Sequence, residues 1–127
     1  MGAWGYQVMS NDYNCDTLTS FLTEDPVHRL VDSLFAQRDD EHALLLGVAI
    51  VDASINGVDE KLLGGFGDYP NEGKEFFYSL AQNPLTGYIS SARSAIDRLI
   101  YTGVDDWSED VQYERMNLYL TYQNRLG

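Results

Sequence analysis

From Ala43 to Ile55 the chain reads ALLLGVAIVDASI, apolar at nearly every position and polar only at Asp52 and Ser54. A helix of this composition has no polar face to turn towards water, so it must lie buried at the centre of a fold. The apolar stretch from Leu44 to Val51 is far shorter than the roughly 20 residues a bilayer-spanning helix needs. The cover for this helix must therefore come from the rest of the chain.

The flanking sequence supplies that cover as amphipathic helices. Asp25 offers an N-cap and Pro26 suits a first helical position, and Val27, Leu30, Val31, Leu34 and Phe35 follow the three-and-four spacing of a buried stripe. Arg38-Asp39-Asp40-Glu41 marks a break and a new start, with acids placed favourably at a helix N-terminus. Asn56-Gly57 ends the central helix with residues that tolerate a left-handed C-cap. Val58 to Leu63 reads as a short helical turn, and Gly64 to Pro70 as an irregular loop. Glu72 to Gln82 forms a helix with Phe76, Phe77 and Leu80 inward. After Asn83-Pro84, the series Leu85, Tyr88, Ile89, Ala92, Ile96, Leu99 and Ile100 gives the clearest amphipathic pattern of all. Gly103 breaks it, and Ser108 caps a last helix carrying Val111, Leu118, Tyr119, Tyr122 and Leu126. At the start, Met1 to Met9 reads as an extended arm. Ser10, Asn11 and Asp12 then offer caps for a helix that buries Leu18, Phe21 and Leu22.

No period-two alternation competes with these assignments, and no repeat or low-complexity tract interrupts them. The expectation is one all-α domain over residues 1–127. It should be a compact bundle of about five to seven helices around a buried central helix, with an extended N-terminal arm. A chain of 127 residues is long enough to bury such a core.

Charge narrows the partners. Twenty acids against eight Lys and Arg give a net charge of −12, a field that repels nucleic-acid phosphates and anionic membranes. The same field attracts a basic protein and speeds that encounter, although a solvated acidic surface without any partner has the same composition. The single cysteine, Cys15, allows no internal disulfide and fits a reducing compartment. The opening residues lack the basic and long apolar regions of a signal peptide, and Tyr6 stands where a myristoylation motif wants Ser or Thr. The cytoplasm is the expected location.

Motifs for chemistry fail at named residues. Asp52-x-Ser54-x-Asn56-Gly57-x-Asp59 copies the first ligands and the glycine of a calcium-binding loop, but Leu63 stands where the bidentate Glu belongs. Gly67 and Gly73-Lys74 are too far apart for a phosphate loop, and Glu75 replaces its Ser or Thr. His28 and Asp32 lie one helical turn apart, as a surface pair does. His28 and His42 lack companions at zinc-ligand spacing, and Cys15 fits a small buried hydrophobe. No catalytic residue, metal or cofactor is expected.

Two acidic clusters remain. One is Asp39, Asp40 and Glu41. The other is Asp105, Asp106, Glu109, Asp110 and Glu114, with no base before Arg115. Each either meets Lys and Arg on a partner or simply complements a helix N-terminus. Tyr113, Tyr119 and Tyr122 share one helix and cannot all enter one narrow stripe, so some belong to the surface or an interface, where Tyr is enriched.

The opening string Met1-Gly2-Ala3-Trp4-Gly5-Tyr6, followed by Ser10-Asn11-Asp12, resembles the start of the bacterial DUF4259 family. The central Ala- and Leu-rich helix, and Ala92-x-x-Ala95-Ile96-Asp97-Arg98-Leu99-Ile100 before an acidic segment, are similar in type. Gln7 stands where the family often has a second glycine. The resemblance implies a small bacterial protein standing on its own, with no agreed catalytic residues. Trp4, Gly5, Asn11 and Asp12 occupy the motif positions and read as structural: an anchor for the arm, a turn and a helix cap.

The sequence favours a non-enzymatic acidic binding protein, such as an immunity-type inhibitor that neutralises a basic, nuclease-like toxin or another nucleic-acid-binding partner. The alternatives are an enzyme or small-ligand protein with a pocket built from loops such as Gly64 to Pro70, and a structural protein that self-associates, for example as a homodimer.

Overall fold

The computed structural model describes Val8 and residues 27–64, 70–102 and 109–127. Those residues form α1 (Val27–Ala36), α2 (Glu41–Asn56), α3 (Glu60–Leu63), α4 (Pro70–Ser79), α5 (Ile89–Thr102) and α6 (Glu109–Leu126). Two single 3₁₀ turns, Leu80–Gln82 and Thr86–Tyr88, join α4 to α5. No strand occurs among the described residues, and the fold there is all-α.

The apolar run does what its composition demands. Every residue of α2 from Ala43 to Ser54 is buried, and α1, α4, α5 and α6 all pack on it. Asp40 starts the helix with extended backbone, and its carboxylate accepts from the N–H groups of His42 and Ala43 at 3.0 and 3.1 Å. Those are two of the donors that a helix start leaves without partners. Gly47 lies in the middle of α2, where glycine weakens a helix by about 1 kcal/mol relative to Ala. Its lack of a side chain has a local reason: a Cβ there would stand 2.6 Å from Cε1 of Phe35. That contact lets α1 lie close against α2.

The C-terminus of α2 differs from the left-handed cap expected of Asn56-Gly57. Gly57 has φ 89° but ψ 166°, and Gly64 ends α3 in a similar way at φ 80° and ψ −150°. Both combine positive φ with extended ψ, a region essentially reserved for glycine. The chain thus leaves each helix straight, without the curl of an αL cap. Asp59 then caps α3 by accepting from Lys61 N at 3.0 Å.

Two expected boundaries also move. The fourth helix begins at Pro70, the last residue of the expected loop, because proline suits a first helical turn. It ends at Ser79, and Leu80–Gln82 tightens into a 3₁₀ turn that still buries Leu80. Likewise α5 begins at Ile89, after the Thr86–Tyr88 turn. Its stripe of Ala92, Ala95, Ile96 and Leu99 is buried as the spacing requires.

Side chains lock the layers together. Tyr88 Oη donates to Asp32 Oδ1 at 2.9 Å, with His28 O at 3.3 Å, tying the start of α5 to α1. Asp32 therefore serves Tyr88 rather than a pair with His28. Lys74 holds Glu60 at 3.1 Å between α4 and α3, and Gln123 donates to Asp97 at 3.0 Å between α6 and α5. Val8 is fully buried, and its N–H donates to Leu62 O at 3.2 Å. The rest of the expected arm, the Ser10–Asp12 caps and the helix after them lie outside the described residues. So do Asp25-Pro26, Gly65 to Tyr69, Gly103 and Ser108.

Candidate functional site

Helix α6 divides cleanly into an inner and an outer face. At 3.6 residues per turn, Arg115, Leu118, Tyr119, Tyr122 and Leu126 fall on one side, and all five are buried. The opposite arc carries Glu109, Asp110, Tyr113, Glu114, Asn117, Leu120, Thr121 and Asn124, all exposed. This outer face runs for about 22 Å at 1.5 Å per residue. Its first two turns hold three carboxylates around Tyr113, whose side chain stays 70% exposed, and Leu120 follows two turns later at 42%. The one base nearby, Arg115, points inward and is wholly buried. The carboxylates therefore face solvent without a cation beside them on their own turn.

The three acids also suit the positive end of the helix dipole, worth about 0.3–1 kcal/mol each at the surface. They would serve that purpose without any partner. Tyr113 and Leu120 serve no such purpose, since neither complements a helix end. Tyr101, 92% exposed on the last turn of α5, adds a further uncovered aromatic on the helix that packs against α6. The three tyrosines of α6 thus separate: Tyr113 to the surface, Tyr119 and Tyr122 to the core.

The second acidic cluster is divided by its own folding duties. Asp40 is spent on capping α2. Glu41 is half-buried, 4.0 Å from His42 Nε2. Asp39 is exposed and accepts from Arg98 Nη2 at 2.7 Å. Asp105 and Asp106, from the first cluster, lie outside the described residues, as do Trp4, Gly5, Asn11, Asp12 and Cys15.

The interior carries more polar chemistry than the sequence suggests. Arg115 Nε donates to Tyr119 Oη at 3.0 Å, and its guanidinium lies 5.5 Å from the centre of the Tyr119 ring. Arg115 Nη2 stands 3.5 Å from His42 Nδ1. Burial, and next the Arg115 charge, hold the His42 imidazole below its ordinary pKa. Burial pushes the Tyr119 and Tyr122 phenols upward, so both stay neutral. This cluster braces α6 against the start of α2.

The residues of the calcium-like motif fasten the far end of the same two helices. Asp52 is buried, and Arg125 Nε donates to its two oxygens at 3.0 and 2.9 Å. Asn56 Nδ2 donates to Asp52 Oδ1 and to Arg125 O, both at 2.9 Å. Arg125 Nη2 donates to Gly57 O at 3.1 Å, and Nη1 lies 3.8 Å from Asp59. Ser54 Oγ donates to Val51 O and accepts from Leu85 N at 2.9 Å. Every oxygen-bearing residue of that motif has a folding partner. Among the described residues, no group of three or more His, Cys, Asp or Glu is arranged to hold a metal ion. Nor is any helix there long and apolar enough to cross a membrane.

The model of the family described as Domain of unknown function (DUF4259) matches residues 2–117, most of the chain. No curated protein and no solved structure matches it.

Proposed function

Because the chain belongs to the DUF4259 family, whose description assigns no activity, we propose a function from the surface itself: a non-enzymatic acidic protein that binds a basic partner. The observation that carries this reading is the outer face of α6, where Tyr113 stays 70% exposed among Glu109, Asp110 and Glu114. Large aromatics ringed by one sign of charge suit a protein interface: the ring supplies buried area, and the carboxylates steer and register the partner. A net charge of −12 extends the attraction to longer range. The chemistry of such a partner is a Lys- and Arg-rich face, as on a nucleic-acid-cleaving or nucleic-acid-binding protein, and an immunity-type inhibitor of a toxic nuclease would have this form.

The test uses two baits, the wild-type chain and a variant with Asp105, Asp106, Glu109, Asp110 and Glu114 each changed to Lys. Capture from a lysate of the native host should enrich a basic protein on the first bait and lose it on the second. With that partner purified, association at low salt should slow at least about tenfold in the variant and lose most of its salt dependence. Tyr113→Ala should act instead on dissociation. Equal capture by both baits, or association rates unchanged by the reversals, would overturn the proposal.

A further inference from the structure

A cleft of about 560 Å³ opens between the α1–α2 turn and the outer side of α5, far from the α6 face in composition and charge. Its walls are Phe35, Leu44 and Ala95 below, and Arg38, Arg98, Ser90, Ser91 and Ser94 around the rim. The spacing on α5 builds the polar side: Ser90, Ser94 and Arg98 follow one another at four-residue steps, so they stack along a single face. A smaller pocket of about 80 Å³ adjoins it and shares Arg38, Leu44 and Arg98.

The chain has only eight Lys and Arg, yet two of them meet at this cleft. Arg98 leans on the α1–α2 turn, with Nε donating to Arg38 O at 2.7 Å and Nη2 to Asp39 Oδ1 at 2.7 Å. Those two bonds fix the plane of the guanidinium and leave Nη1 without a partner among the described residues. The Arg38 guanidinium has no partner there either, and neither do the hydroxyls of Ser90, Ser91 and Ser94. Two guanidiniums and three free hydroxyls above an apolar floor form a concave, donor-rich site of ordinary ligand size. Arginine's planar fork matches the paired oxygens of a carboxylate or phosphate.

We propose that this cleft binds a small organic molecule carrying one oxyanion, a carboxylate or a phosphate, on a short apolar body. The anion would lie against Arg38, Arg98 Nη1 and the serine hydroxyls, with the apolar body on Phe35, Leu44 and Ala95. Two carboxylates stand nearby: Asp39 is already engaged by Arg98, and Glu41 lines the smaller pocket. The distant acids of the chain are screened over a Debye length of about 8 Å at physiological salt, so the anion's hold rests on close-range bonds to Arg38, Arg98 Nη1 and the serine hydroxyls. This site uses none of the α6 residues and stands or falls independently of the protein-binding reading.

Titration of the full-length ¹⁵N-labelled chain with phenyl phosphate, benzoate and benzyl alcohol tests it. At least one anion should give saturable shifts at the amides of Ser90, Ser91 and Ser94 and at the Nε–H signals of Arg38 and Arg98, with a Kd on the order of 0.1–1 mM. Response to phenyl phosphate alone assigns a phosphate ligand, and to benzoate alone a carboxylate. Arg38→Gln changes an exposed, unpartnered side chain, so it should leave the fold intact and weaken binding at least about tenfold. Gly47→Ala should also weaken binding by displacing the Phe35 ring from its seat on α2. Absence of saturable shifts with both anions, equal shifts with benzyl alcohol, or full-strength binding by Arg38→Gln would overturn the proposal.

Discussion

Arg125→Met and Asp52→Asn remove the two halves of one buried ion pair, yet the structure makes their costs unequal. The Asp52 side chain is 4% exposed and that of Arg125 is 25% exposed. When Asp52 becomes Asn, the guanidinium keeps its bond to Gly57 O and can turn its freed Nε towards water. The loss is then one charge-assisted interaction, about 1–2 kcal/mol. When Arg125 becomes Met, the Asp52 carboxylate cannot reach water. It keeps only the Asn56 amide, and a stranded buried charge costs about 3–4 kcal/mol. In the double variant the neutral Asn has no charge to strand, so the total should be about 2 kcal/mol, well below the sum of the singles. The resulting coupling is about 3 kcal/mol. Urea unfolding followed by helical circular dichroism at pH 7 measures all three. An Arg125→Met cost at or below that of Asp52→Asn, or additive singles, would refute the argument from unequal burial.

Two further outcomes follow from particular residues. Because the folded-state pKa of His42 is lowered, the unfolded chain takes up a proton near pH 6.5 while the folded chain resists it. Its contribution is therefore constant above about pH 6.5 and is lost as pH falls through that value towards the folded pKa. Urea midpoints between pH 7.5 and 5.5 should drop for the wild type and drop less for His42→Gln; parallel curves would exclude His42 as the cause. Gly57→Ala should cost about 1–2 kcal/mol from backbone strain alone, since φ is +89° and no atom lies within 4 Å of the added Cβ. Gly87→Ala, equally open and without positive φ, serves as the control and should not destabilise.

Much of the helical frame was legible because each helix signals itself locally. The run from Ala43 to Ser54 has no polar side, and Asp40 stands where a cap must stand. The stripe from Ala92 to Leu99 repeats at the helical period. The interior ion pairs were not legible, since Asp52 and Arg125 are separated by 73 residues and neither neighbourhood names the other. Arg115 lies on the inward arc of α6 by spacing, but its charge argues for the surface, and its contacts with Tyr119 and His42 help to reconcile the two. The α6 face was half legible: its acids form a run in the sequence, whereas the exposure of Tyr113 depends on which arc the core claims. The cleft beside α5 could have been suspected from Ser90, Ser94 and Arg98 at four-residue spacing. Arg38 joins them only through the turn between α1 and α2.

The complete enclosure of α2 sets a timetable for the ribosome. Its last residue is Asn56, and the helix that closes over it ends at Leu126. At about 5–20 residues per second, the intervening 70 residues take roughly 4–14 s to synthesise. For the later part of that interval, once α2 has cleared the exit tunnel, an apolar segment with no polar face lacks its final cover. Solubility of the nascent chain then depends on α1 and on whatever cellular factor shields Leu44 to Val51, and a chain cut short before α6 should aggregate rather than form a smaller bundle. The feature that dictates the finished fold is thus also the chain's point of greatest exposure while it is being made.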